Sequence, residues 1–232
     1  MKLRKRILTL ILAIAMLIVT LPFAAAEGYC GWKQYDPRWA SVVLTNKTMK
    51  QVGCLATSVA MLAVQGGLRD EAGFDPGIFA AEMKKAGGFD ANDDLVWEAL
   101  PKAVPGLTAQ TPWGSLKGTQ AEKTALLKGW LEQGYQVAVA VKSGGHWVAL
   151  RAVTGGKAVM LDPGSEETDL FGKYPASGVS RAALLRCEKP ASTQAVPAEK
   201  EGASMLENVL AFMKDLWALL AAVFRYMLIL GK

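Results

Sequence analysis

One histidine and three cysteines in 232 residues leave few ways to assemble a reactive centre, and their placement narrows the choice. Cys54 follows Gly53 and opens an apolar run to Gln65 in which Leu55, Val59 and Leu62 share one helical face. A cysteine at a helix start lies among unpaired backbone N–H groups at the positive end of the helix dipole, which favours the thiolate. Gly53, without a side chain, leaves room for a substrate backbone to approach. His146 heads an alternating strand pattern in Ser143-Gly144-Gly145-His146-Trp147, where Gly145 and the glycine before it keep access to the ring open. Gly53, Gly145 and Trp147 thus border the path of a substrate, Trp147 by packing on the opposite strand face. Asp162 ends the following strand in Leu161-Asp162-Pro163-Gly164. A hairpin between the two strands brings this carboxylate beside the imidazole, where it fixes the tautomer and stabilises the imidazolium. Cys54, His146 and Asp162 therefore read as nucleophile, base and orienting group.

Positioning these groups requires helices first and a sheet second. Asp75-Pro76 reads as an N-cap followed by Pro at the first helical position, with a helix to about Ala86 and a stop at Gly87-Gly88. Asn92 or Asp93 is expected to start another short helix through Trp97 and Leu100, broken by Pro101 and Pro105. Thr119-Gln-Ala-Glu122 is a capping box ahead of a helix ending near Gly134. The period then changes. Val137, Val139 and Val141 alternate, as do His146, Val148, Leu150 and Ala152, and Lys157 to Asp162 supplies a third strand after a Thr154-Gly155-Gly156 turn. Helices followed by a mostly antiparallel sheet predict an α+β domain over residues 27–188.

The termini differ from this body. Lys2, Arg4, Lys5 and Arg6 precede an uncharged stretch from Ile7 to Ala26 ending in Ala24-Ala25-Ala26, the pattern of a signal peptide over residues 1–26. Those four residues hold most of the formal charge of +5, so the near-neutral remainder lacks the footprint of nucleic-acid binding. Residues 189–203 read as a flexible linker rich in Pro, Ala, Ser, Lys and Glu. Residues 204–232 read as an amphipathic helix with Leu206, Leu210, Met213, Trp217, Leu220, Phe224 and Leu228 on one side. The expectation is an exported, extracytoplasmic protein whose C-terminal helix lies on a membrane surface or against a partner helix. Export would allow a Cys30–Cys187 disulfide and leave Cys54 as the free thiol, although both could equally stay reduced. A single His and three Cys do not make a His-rich or paired-Cys metal centre, so neither metal nor cofactor is expected. Asp93-Asp94 and Glu166-Glu167 read as solvated surface, since adjacent carboxylates do not face one another on a helix.

Four segments together resemble a known family. Trp32-Lys-Gln34-Tyr-Asp-Pro-Arg-Trp39, Gly53-Cys54-Leu-Ala-Thr57-Ser58-Val-Ala-Met61, Gly145-His146-Trp147-Val148 and Asp162-Pro163-Gly164 are similar to the bacterial peptidase C-39-like group, whose fold is papain-like and which includes peptidases that cleave double-glycine leaders from bacteriocins. The resemblance implies a cysteine peptidase with Cys54 as nucleophile, His146 as base and Asp162 as third member. It also implies an oxyanion glutamine, for which Gln34 matches the family's early position and Gln51, three residues before Cys54, competes. The chain lacks transporter segments and a nucleotide-binding domain, so the leader-peptide role does not carry over. The expected substrate is a peptide or a cell-wall peptide. The alternatives are a cell-wall amidase or acyltransferase, and a membrane-associated binding protein with an inactive triad.

Overall fold

The computed structural model describes residues 28–189 apart from Pro112. The expected signal peptide, nearly all of the linker and the amphipathic C-terminal helix lie outside the described residues. Among the described residues six α-helices precede or interrupt the strands, beside four 3-10 turns: α1 (Met49–Val52), α2 (Cys54–Gln65), α3 (Pro76–Lys85), α4 (Leu100–Ala103), α5 (Gln120–Glu132) and α6 (Leu170–Lys173). Their starts are written locally. Asp75 accepts a hydrogen bond from the Ile78 N–H ahead of Pro76, a cap worth roughly 1 kcal/mol. Thr119 and Glu122 satisfy each other's backbone N–H groups at the start of α5.

The strands are β1 (Leu107–Ala109), β2 (Gly114–Ser115), β3 (Gln136–Val141), β4 (His146–Thr154), β5 (Lys157–Leu161) and β6 (Arg181–Cys187). They form one antiparallel sheet in the order β1-β6-β3-β4-β5, with β2 also on β6. The β4–β5 hairpin turns through Gly155 and Gly156, both at positive φ, as the two-residue turn between Thr154 and Lys157 demands. The same hairpin carries a register shift between Leu150 and Ala152.

Side-chain alternation gives the sheet two buried faces. Ala138, Ala140, Ala149 and Ala183 face α2, α3 and α4 in a core that includes Ala56, Ala60, Ala63, Phe79 and Leu100. Val137, Val139, Val141, Val148, Leu150 and Met160 face α5 and α6 in a second core with Leu127 and Leu170. The result is an α+β fold with helices leading and an antiparallel sheet following, as the sequence predicts.

Some expectations are corrected. No helix starts at Asn92 or Asp93: Asp93 takes a φ of 69° and its carboxylate binds the Thr45, Asn46 and Lys47 N–H groups. Pro101 does not break the following helix but sits in the first turn of α4, where its missing N–H is not needed. Of the two states the sequence leaves open for Cys30 and Cys187, the structure shows the reduced one: all three cysteines are free thiols. Cys187 is instead packed against the end of α2, its thiol where any side chain at Gly66 would collide with it, and burial pushes its pKa up to about 11. The expectation of membrane association is also corrected to what the described residues show: no helix among them is long and apolar enough to cross a membrane.

Candidate functional site

Cys54 is the first residue of α2, directly after the α1 turn. Gly53 makes that junction, but for a different reason than the sequence suggests. A side chain there would lie 2.5 Å from the Met49 carbonyl oxygen and 2.9 Å from its Cα, so glycine is needed for the close passage of α1 into α2. Gly53 does not line the cleft beside Cys54. Alanines on α2 and on the facing strands let the helix lie close to the sheet, and two buried polar contacts hold it there. Ser58 Oγ donates to the Trp147 carbonyl at 3.2 Å, and Gln65 Nε2 donates to the Leu150 carbonyl at 3.1 Å. Ser58 thereby ties the first half of α2 to the start of β4, where His146 stands, and Gln65 ties the helix end to the middle of the strand.

His146 Nε2 and Asp162 Oδ1 are 2.7 Å apart, with the His side chain 11% exposed and the Asp side chain fully buried. The carboxylate is held on every side. Oδ1 also accepts the Gly164 N–H at 2.7 Å. Oδ2 accepts from the Tyr174 hydroxyl at 2.6 Å and the Ser165 hydroxyl at 2.8 Å, and lies 3.2 Å from the Lys173 ammonium. Burial alone would raise its pKa, but the hydrogen bonds from His146, Tyr174, Gly164 and Ser165 outweigh it and keep Asp162 well below the usual carboxylate range. Tyr174 is pushed up in turn, by burial and by donating to that carboxylate. Gly164 is a close-approach glycine: a side chain there would stand 3.3 Å from Asp162 Oδ1 and from Cε1 and Nε2 of the imidazole.

Burial also acts on His146, favouring the neutral ring. It is overcome by the hydrogen bond to Asp162, by the proximity of Cys54 and by the charge of Asp162, so that the imidazole pKa rises to about 9. Asp162 occupies Nε2, which leaves Nδ1 as the ring nitrogen for Cys54. At neutral pH the ring is an imidazolium and can give up a proton.

Cys54 and His146 line a single cleft of about 350 Å³ together with Gln34, Gln51, Gly145 and Trp147. The two glutamines differ in their engagements. Gln51 Oε1 accepts both the N–H and the hydroxyl of Thr48, which makes it the capping partner of α1. Gln34 Nε2 donates to the Lys50 carbonyl at 3.0 Å and keeps a second amide hydrogen. Its backbone N–H donates to the Pro163 carbonyl at 3.0 Å, and the adjacent Lys33 ammonium reaches the Asp162 carbonyl at 3.3 Å and Glu166 at 3.2 Å. The 33–34 segment is therefore docked on the loop that carries Asp162. Trp147 packs edge-to-face with Trp97 and Trp113, below the Arg181 guanidinium.

The sequence reading names Cys54, His146, Asp162, Gln34, Gln51, Gly145 and Trp147, and the fold gathers all of them around one cleft or its supporting pair. Gly53 serves the helix junction, and Cys30 and Cys187 stay unpaired. Tyr174, Ser165 and Lys173 were missed. A Pro-Gly-Ser turn after the aspartate hints at Ser165, whereas nothing local marks Tyr174, which reaches Asp162 across the α6 turn. Compared with protein-family models, curated proteins and solved structures, the chain matches none.

Proposed function

We propose that the chain is a cysteine peptidase of papain-like, C-39-like type, cleaving peptide bonds through Cys54, His146 and Asp162. The observation that carries the reading is the shared cleft of Cys54 and His146, with the imidazole anchored through Nε2 to a buried carboxylate and charged by its neighbours. Cys54 sulfur, as thiolate, attacks the scissile carbonyl carbon and the C–N bond breaks as the His146 imidazolium gives its Nδ1 proton to the leaving amine. Water then loses a proton to the neutral ring and attacks the thioester carbon. The acid departs and the Cys54 thiolate–imidazolium pair is restored. Asp162 holds the ring orientation and stabilises its charged form without changing protonation. The tetrahedral oxyanion takes hydrogen bonds from the Cys54 backbone N–H and the free amide hydrogen of Gln34.

Two measurements test this on the full-length protein. Iodoacetamide labelling followed by peptide mapping should show Cys54 reacting faster than Cys30 and Cys187. Incubation with peptide libraries and muropeptides, read by mass spectrometry, should show products that vanish in Cys54→Ala. An inert Cys54 in the native protein, with no cleavage, would overturn the proposal.

A further inference from the structure

We infer that the cleft beside Cys54 selects a substrate residue with an apolar stem and a cationic head, lysine or arginine, whose charge is met by Asp93 and Asp94. The inference rests on the hydrolase reading above and adds the substrate class. Besides Cys54 and His146 the cleft is lined by Leu44, Leu55, Phe89 and Leu95, and by Asp93 and Asp94. These are the two carboxylates that the sequence alone assigns to solvated surface.

Asp93 is not a surface carboxylate. It is 7% exposed, and Oδ1 accepts the N–H groups of Asn46, Thr45 and Lys47 at 2.7, 2.8 and 3.1 Å. The Asn46 N–H above all, against the opposing effect of burial, keeps the carboxyl below the usual range, so the group stays charged. Its other oxygen, Oδ2, is buried and has no hydrogen-bond partner. A buried anion with an unused oxygen is costly to leave unmatched, and a cationic side chain in the cleft that Asp93 lines would offset its charge. Asp94 is exposed beside it and adds a second negative charge, while Lys47 is exposed on the same wall and offsets one. Two carboxylates against one ammonium leave this part of the cleft net negative, with apolar side chains set within a mainly polar lining. Long aliphatic stems with charged heads fit that combination. Among the described residues no three His, Cys, Asp or Glu side chains converge, so the donor set suits an ammonium or guanidinium and not a chelated metal ion.

The test uses the full-length protein and peptides randomised at three positions on each side of the cleaved bond. Matched peptides then carry lysine, norleucine or glutamate at the selected position. Cleavage by the wild type is followed by mass spectrometry and binding to the Cys54→Ala protein by fluorescence anisotropy. The lysine peptide should exceed the norleucine peptide at least tenfold in kcat/KM and in affinity, with glutamate poorest. The preference should fall below threefold in Asp94→Asn, whose exposed site leaves folding untouched, and in Asp93→Asn if its melting curve stays native. Peptides cleaved without a charge preference, or a preference surviving both substitutions, would overturn the subsite and leave the hydrolase reading standing. Neither cleavage nor binding of any peptide would overturn both.

Discussion

On one face of the sheet, alanines of β3, β4 and β6 meet alanines of α2; on the other, valines and leucines meet Leu127 of α5 and Leu170 of α6. The alanine face contributes little apolar area per residue, yet it brings the start of α2 close enough for Cys54 to share a cleft with His146. The valine face carries larger strand side chains, and its pattern continues into the His146–Asp162 pair: Tyr174, which donates to Asp162, belongs to that core. Cys54 thus arrives from the close-packed side and His146 from the bulky side. The approach of Cys54 to His146 depends on the close spacing of one face, while the strand side chains of the other bury more apolar area apiece.

The sharpest test of this division is to remove one contribution from each side. Cys54→Ala and His146→Ala should each lower hydrolysis on the order of ten-thousand-fold or more, and the double variant should be no worse than either single one. Additive losses, measured as kcat/KM, would show that the two sides act separately. Gln34→Ala comes next, with turnover falling roughly a hundredfold and KM little changed, as expected for a lost oxyanion donor. Gln51→Ala should instead lose about 1 kcal/mol of stability with its capping box, and slower acylation in this variant alone would reverse the assignment.

A smaller and more direct contrast comes from two neighbours in β3. Val139→Ala should cost about 2 kcal/mol in chemical denaturation through the cavity it leaves, with kcat per folded molecule unchanged. Ala140→Val should cost roughly 1–3 kcal/mol by overpacking and also slow Cys54 alkylation, because it lifts α2 from the sheet. Equal effects on alkylation would erase the distinction between the faces.

A further contrast lies in the pH dependence of stability. The folded imidazole pKa, about 9, lies above the ordinary value of 6.5, so protonated His146 stabilises the fold fully below 6.5 and this contribution is lost as pH rises to about 9. Asp162 is shifted the other way: its contribution is present above the ordinary value of 3.8 and is lost as pH falls below it toward the depressed folded value. Melting temperature should therefore decline between pH 6.5 and 9 in the wild type, and this decline should flatten in His146→Gln. An unchanged slope would place the alkaline loss elsewhere.

Much of this arrangement is legible in the residues. The caps of α3 and α5 are local, the β3, β4 and β5 patterns alternate, and a short hairpin links His146 to Asp162. What sequence reasoning lacks is tertiary. The β6 segment Arg181-Ala-Ala-Leu-Leu-Arg-Cys187 has no polar alternation because both of its faces are buried. The residues around Asp93 look like a helix start until the 45–47 loop, far away in sequence, claims the carboxylate. Gly53 serves an intrachain contact that is invisible without α1 in place, and Tyr174 meets Asp162 only through the turn of α6.

The register shift in the β4–β5 hairpin decides whether the two members of the supporting pair can meet. Near the turn Ala152 faces Val159 and Thr154 faces Lys157; beyond Arg151, Leu150 faces Met160 and Ala149 faces Leu161. Continued without the extra residue, the first pairing would set Asp162 opposite Ala149, and cross-strand partners share a face. Asp162 would then aim at the α2 side, whereas His146 has the parity of Val148 and Leu150. Arg151 acts as a parity switch, one inserted residue that turns the carboxylate through the sheet to the side of the ring.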